Sequence, residues 1–169
     1  MRGTLDKTFA LSLLLTLLVP SAAQAVGGRM RTAMAIGQAR ARLERAGGRT
    51  YPTHLGWPVD NAQAGRLGIT VGTGLPPRAI PGVYYHETTH EQVGDPFRLV
   101  LGPLQSQRAE LRADFGAGFK LVRAGYLGTG APAAYLRFVA QNGSLDHGFG
   151  PQRVRATLRG MRAAIASGW

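Results

Sequence analysis

The sequence predicts an α+β chain, mostly helical, with a small sheet such as a hairpin or an edge strand. Three observations carry that expectation. Five segments of good helix formers carry apolar residues at helical spacing, Gly and Pro punctuate the stretches between them, and one short run alternates apolar residues at every second position.

The elements follow in order. Arg2 and Lys7 precede an apolar run over residues 10–19, and Ala23-Gln24-Ala25 has the small-x-small pattern of a signal peptidase site, so residues 1–25 read as a removable signal peptide. The run is shorter than the roughly 20 helical residues that span a bilayer. The expectation is a mature single domain over residues 26–169, periplasmic or secreted, with no transmembrane segment after cleavage. Residues 29–46 predict a helix carrying Met30, Met34, Ile36 and Leu43, stopped by Gly47-Gly48. Residues 50–58, with two Pro and one Gly, read as irregular. Residues 66–72 predict a strand with Leu67, Ile69 and Val71 on one face. After a Pro-rich loop, residues 82–93 predict a helix closed by Gly94-Asp95-Pro96. Residues 106–124 predict a long helix ended by Gly125, and residues 132–141 a short one with Pro at its start and Gly143 past its end. In the last helix, 151–166, Val154, Leu158, Met161 and Ile165 form one stripe, with Arg153, Arg155, Arg159 and Arg162 mostly away from it.

Composition removes several function classes. Hydrophobic residues at 44% and charged residues at 17% exclude disorder by composition. The absence of Cys excludes a disulfide framework, a thiolate zinc site and a cysteine nucleophile. The formal charge of +11 raises nucleic acid as a partner, but the arginines form no block and no aromatic platform interleaves them, so no nucleic acid is expected. Weak association with anionic envelope surfaces is the milder inference.

The chemistry lies in His86-Glu87-Thr88-Thr89-His90, an H-E-x-x-H sequence inside a predicted helix. Two histidines four residues apart project from one helix face, with Cβ atoms roughly 5–6 Å apart. Their ring nitrogens can then converge on one Zn²⁺. Glu87, one position on, sits beside such an ion, placed to take a proton from a water there and pass it to a leaving amine. A catalytic zinc needs a third protein ligand, and without Cys this is a carboxylate or another His. Glu110 and Asp114 lie four apart on the next long helix; one can bind metal while the other supports a ligand imidazole, or both can be solvated acids alternating with Arg108 and Arg112.

Residues 86–90, the block Gln107-Arg108-Ala109-Glu110-Leu111-Arg112-Ala113-Asp114, then Asp146-His147-Gly148 and Pro151-Gln152-Arg153-Val154, resemble in order the bacterial neutral zinc metallopeptidases. The resemblance covers residues 84–160. It implies a minimal zincin-like domain whose small strand or hairpin packs on the H-E-x-x-H helix, with His86, His90 and Glu110 as zinc ligands, Glu87 as catalytic base and Asp114 orienting a ligand histidine. Its substrate is a peptide or protein, and in such enzymes a strand edge receives the substrate backbone. The chain departs from the family in carrying Thr89 where Gly is usual, and in its short region before the helix.

His147 has two readings: a catalytic donor to the oxyanion, steadied by Asp146, or a cap on the last helix. Tyr84 and Tyr85 can likewise donate a hydroxyl or pack in the core; His54 reads as structural, and Glu91 and Asp95 as decoration at the helix end. The leading function is therefore an exported zinc metallopeptidase. A non-catalytic zinc-binding envelope protein, acting as adaptor or regulator, comes second, and a basic binder of anionic envelope polymers third.

Overall fold

In chain order the elements are α1 (Ala22–Arg45), β1 (Thr53–Leu55), β2 (Ala62–Gly65), β3 (Gly68–Val71), α2 (Ile80–Val93), α3 (Pro103–Arg123), α4 (Ala131–Gln141) and α5 (Gly150–Ala166). This is a computed structural model that describes residues 22–56, 61–95, 103–145 and 147–168. It is the mostly helical α+β fold that the sequence predicts. Residues 1–21, with most of the expected signal peptide, and Asp146 lie outside the described residues. No helix among the described residues is long and apolar enough to cross a membrane.

α2 is the central element, and every residue from Ile80 to His90 is buried. A helix enclosed on all sides needs no polar face, which explains why this one shows little amphipathic pattern. Pro81 suits its first turn. Gly94 ends it with φ 74°, and the Gly94 and Asp95 amides return to the last-turn carbonyls of Glu91 and His90. Around α2 stand α1, the sheet, α3 and α4. The core joins Ile36 and Leu43 of α1, Ile69 and Val71 of β3, Val83, Tyr84 and Tyr85 of α2, Leu121 of α3, and Tyr135 and Val139 of α4. Met30 and Met34, on the outer side of α1, are exposed.

Two glycines let the outer helices close up. A Cβ on Gly118 of α3 would collide with the Thr157 carbonyl of α5, and one on Gly160 of α5 with the Phe115 carbonyl of α3. The small residues thus set the α3–α5 crossing at backbone contact.

The sheet is larger than a hairpin. Its order is β1-β3-β2, with β1 parallel and β2 antiparallel to β3. β1 falls where residues 50–58 read as irregular, since three residues between Pro52 and Gly56 show no alternation that sequence can detect. The strand expected over 66–72 begins at Gly68. Arg66 and Leu67 form the turn from β2, so Leu67 is 82% exposed while Ile69 and Val71 are fully buried. Alternation alone does not distinguish a turn residue from the first strand residue.

α5 also departs from its expected stripe. Its buried face is Gly150, Arg153, Ala156, Thr157, Gly160, Met161 and Ala164; Ile165 is exposed, and Arg153, expected away from the core, is buried. Small residues allow the close crossing, and Arg153 is drawn inward by the acids described below.

Candidate metal centre

α2 presents His86, Glu87 and His90 on its buried surface, and α3 brings Glu110 against them. His86 Nε2 lies 3.0 Å from His90 Nε2, 3.1 Å from Glu110 Oε2, and His90 Nε2 lies 3.5 Å from Glu110 Oε1. One ligand atom from each of the three residues lies within 4.8 Å of the others, and all three side chains are buried. Two imidazole nitrogens and a carboxylate oxygen facing one point form a group that can hold a metal ion.

A second layer fixes the rings. His86 Nδ1 is 2.9 Å from Asp114 Oδ1, and His90 Nδ1 is 3.3 Å from Asp95 Oδ2. A carboxylate acceptor at Nδ1 keeps the proton there and leaves the Nε2 lone pair for a metal. Each aspartate is held by an arginine in turn. Arg153 Nε donates to Asp114 Oδ2 at 2.8 Å and Arg153 Nη2 to Oδ1 at 3.1 Å, while Arg112 Nη2 donates to both oxygens of Asp95 at 2.8 Å. The two relays differ in depth: Asp114 and Arg153 are buried, whereas Arg112 is half exposed. Tyr135 OH adds a bond to Asp114 Oδ1 at 2.8 Å, and Arg153 Nη1 one to the Asn142 carbonyl at 2.8 Å.

The electrostatics follow from this layout. Burial works against ionisation of Asp114, but the hydrogen bond to His86, then the bonds and charge of Arg153, outweigh it and hold the carboxyl at about 2. The Asp95 carboxyl is likewise lowered: burial opposes it, and Arg112 and His90 prevail. Burial, then the Asp114 charge, pushes the Tyr135 hydroxyl well above its ordinary value, so it remains a donor. Asp114→Asn is expected to weaken metal binding by about 10–100-fold, measured by competition with a chromophoric chelator.

Glu87 is buried beside the three-residue group but outside it. Its Oε2 accepts the Ala64 amide of β2 at 2.7 Å, and its Oε1 lies 4.0 Å from His86 Nε2. One oxygen is thus anchored to the strand while the other faces the ligand nitrogens. Glu91 accepts the next amide, that of Gly65, at 3.1 Å. Both carboxylates therefore hold β2, an edge strand, against α2.

The structure thus brings together His86, Glu87, His90, Glu110 and Asp114. His147 stands on the exposed loop before α5, its Nδ1 2.8 Å from Ser144 Oγ, and the adjacent Gly148 sits against Gln107 and Leu111 of α3. Tyr84 and Tyr85 are core residues, and Tyr85 OH donates to the Ala39 carbonyl at 2.8 Å. His54 is exposed and pairs with the Leu67 carbonyl at 3.1 Å. Sequence reading assigns no site role to Arg153 or Tyr135, and Asp95, read as decoration at the helix end, holds His90.

Nor does sequence reading single out Lys120 of α3. Lys120 Nζ donates to Thr88 Oγ1 at 3.0 Å and Thr89 Oγ1 at 2.9 Å, and both hydroxyls donate to the Tyr85 carbonyl. Burial among neutral partners pulls its ammonium down to about 7. The folded chain therefore binds fewer protons than the unfolded chain between pH 7 and the ordinary lysine value of 10.5, and stability rises with pH across that window. Lys120→Met is expected to stabilise the fold by on the order of 3 kcal/mol at pH 7 and below. In urea unfolding as a function of pH, that advantage disappears as the pH approaches the ordinary lysine value.

No protein-family model, no curated protein and no solved structure matches the chain, so the site stands on its own geometry: a buried His86–His90–Glu110 group that can hold a metal ion.

Proposed function

We propose that this chain is a zinc-dependent metallopeptidase of the neutral zinc metallopeptidase type, exported by its signal peptide to the periplasm or beyond. The observation that carries the reading is the placement of Glu87, a buried carboxylate outside the metal-holding group with one oxygen anchored and the other turned towards it. The bond to Ala64 accounts for one oxygen of Glu87; a site that only held metal would have no use for the other as a base.

Two imidazoles and one carboxylate suit Zn²⁺ and leave a position open. His86, His90 and Glu110 would hold the ion, which when bound supplies a Lewis acid that activates water near neutral pH and polarises the scissile carbonyl. Glu87 Oε1 accepts the proton of the attacking water and returns it to the amine nitrogen of the departing peptide. The Ala64 amide occupies the other oxygen, which leaves Oε1 as the one directed at the site. Asp114 and Asp95 hold the imidazoles in the tautomer a ligand needs. His147, on the loop seated against α3, is the candidate donor to the oxyanion.

The second reading, a zinc-holding envelope protein without hydrolysis, draws on one feature: amides of the edge strand that could pair with a substrate backbone are bonded to Glu87 and Glu91. Zinc-loaded chain incubated with a broad peptide library, with cleavage followed by mass spectrometry, separates the two. Cleavage lost on chelation supports the peptidase; tightly held zinc with no cleavage supports the second reading.

A further inference from the structure

Between α3 and α5 lies an open groove of about 380 Å³ lined by Leu111, Gln152, Arg155, Leu158, Arg159 and Arg162. The three arginines are exposed, and none has a hydrogen bond or ion pair among the described residues. None of the described residues that line the groove is acidic. α5 contains no acidic residue, and the two acids of α3, Glu110 and Asp114, are buried in the metal centre. Arg153 and Arg112 on the same two helices, by contrast, have aspartate partners.

We propose that this groove binds an acidic peptide segment in which carboxylates alternate with apolar residues. Arg155, Arg159 and Arg162 follow i, i+4, i+7 spacing and share one face of α5 over about 10 Å of its axis. An extended peptide places same-side residues about 6.7 Å apart, so three alternating carboxylates span about 13 Å, a distance three long guanidinium arms can meet. Guanidinium pairs with carboxylate through two parallel bonds, which selects anion geometry as well as charge. The floor decides between anionic partners. Leu111 faces the arginines from α3 and Leu158 stands among them, so a phosphate polymer would leave apolar surface wet. A flat bilayer would meet the arginine tips and not reach between two helices. An oligonucleotide calls for stacking rings, and no lining residue is aromatic. The inference is independent of the metal reading.

The test is fluorescence anisotropy of the full chain with a labelled hexapeptide alternating glutamate and leucine, its integrity checked by mass spectrometry. The triple variant R155Q/R159Q/R162Q is expected to bind at least about tenfold more weakly, while R29Q/R31Q/R137Q, an equal loss of exposed charge, stays within about twofold. Replacing glutamate by glutamine, or leucine by serine, in the peptide is expected to weaken binding about fivefold or more. Circular dichroism and metal content confirm folding of each variant; Arg159→Gln alone, expected to cost about threefold, serves if the groove triple does not fold. Equal losses in the two triples would reduce the effect to net charge and overturn the proposal. So would undiminished binding of the glutamate–serine peptide, or tighter binding of inorganic tripolyphosphate or phosphatidylglycerol vesicles to the same arginines.

Discussion

Glu87→Gln is expected to keep its metal and lose hydrolysis by about 10²–10⁴-fold. Glutamine preserves the anchor, because its amide oxygen can still accept the Ala64 N–H that Glu87 Oε2 accepts at 2.7 Å. What changes is the other arm, where an NH₂ group replaces the oxygen that faces His86 Nε2 and can no longer take a proton. The metal stays because Glu87 is not one of the three residues whose ligand atoms converge. Glu87→Ala is a poorer probe, since it also leaves the Ala64 amide of β2 buried and without its acceptor. Steady-state rates on a cleavable peptide, with metal content measured on the same samples, give both halves of the result. A Gln variant that hydrolyses at the native rate would remove Glu87 from the mechanism.

The second large effect is on stability. Arg153→Met is expected to cost about 3–5 kcal/mol, measured by urea unfolding. Methionine fills similar space but leaves the fully buried Asp114 carboxylate without both guanidinium bonds, and the Asn142 carbonyl without its donor. Breaking one side of a buried pair costs more than the pair contributes, because the surviving charge stays desolvated. His86 and Tyr135 remain on Asp114, which keeps the loss from being larger. Arg153→Lys, which keeps the charge but not the two-pronged geometry, falls between. Arg137→Met on the exposed side of α4 serves as the control and is expected to stay within about 0.5 kcal/mol. A loss below about 1 kcal/mol for Arg153→Met would show that Asp114 does not depend on it.

How far the site could be read from sequence follows from where its information is stored. His86 and His90 sit one helical turn apart, and so do Glu110 and Asp114; within a helix, spacing fixes a shared face, so local pattern alone placed each pair. Their meeting across the α2–α3 interface is a tertiary fact, expected only through the resemblance to known metallopeptidases. Arg153 shows the opposite case. Helical periodicity assigns an arginine to the solvent side, and nothing local marks the buried aspartate 39 residues away that reverses the assignment. Asp95 reads as decoration because its role depends on how the chain turns at Gly94 rather than on its position in the helix. Lys120 is hidden similarly: its site is made by two threonines on another helix. The β1 strand is too short to show in the sequence, and Leu67 reads as a strand residue because the hairpin turn begins inside an apparently regular alternation.

The proposed chemistry requires His86, His90 and Glu110 to act together on one ion. Elemental analysis of the purified full chain after zinc reconstitution, beside Glu110→Ala, tests that most directly. About one zinc per chain in the wild type, lost or weakened at least about 100-fold in Glu110→Ala, is the predicted result. A wild type that takes up no zinc, or a Glu110→Ala variant that holds it equally tightly, would contradict it.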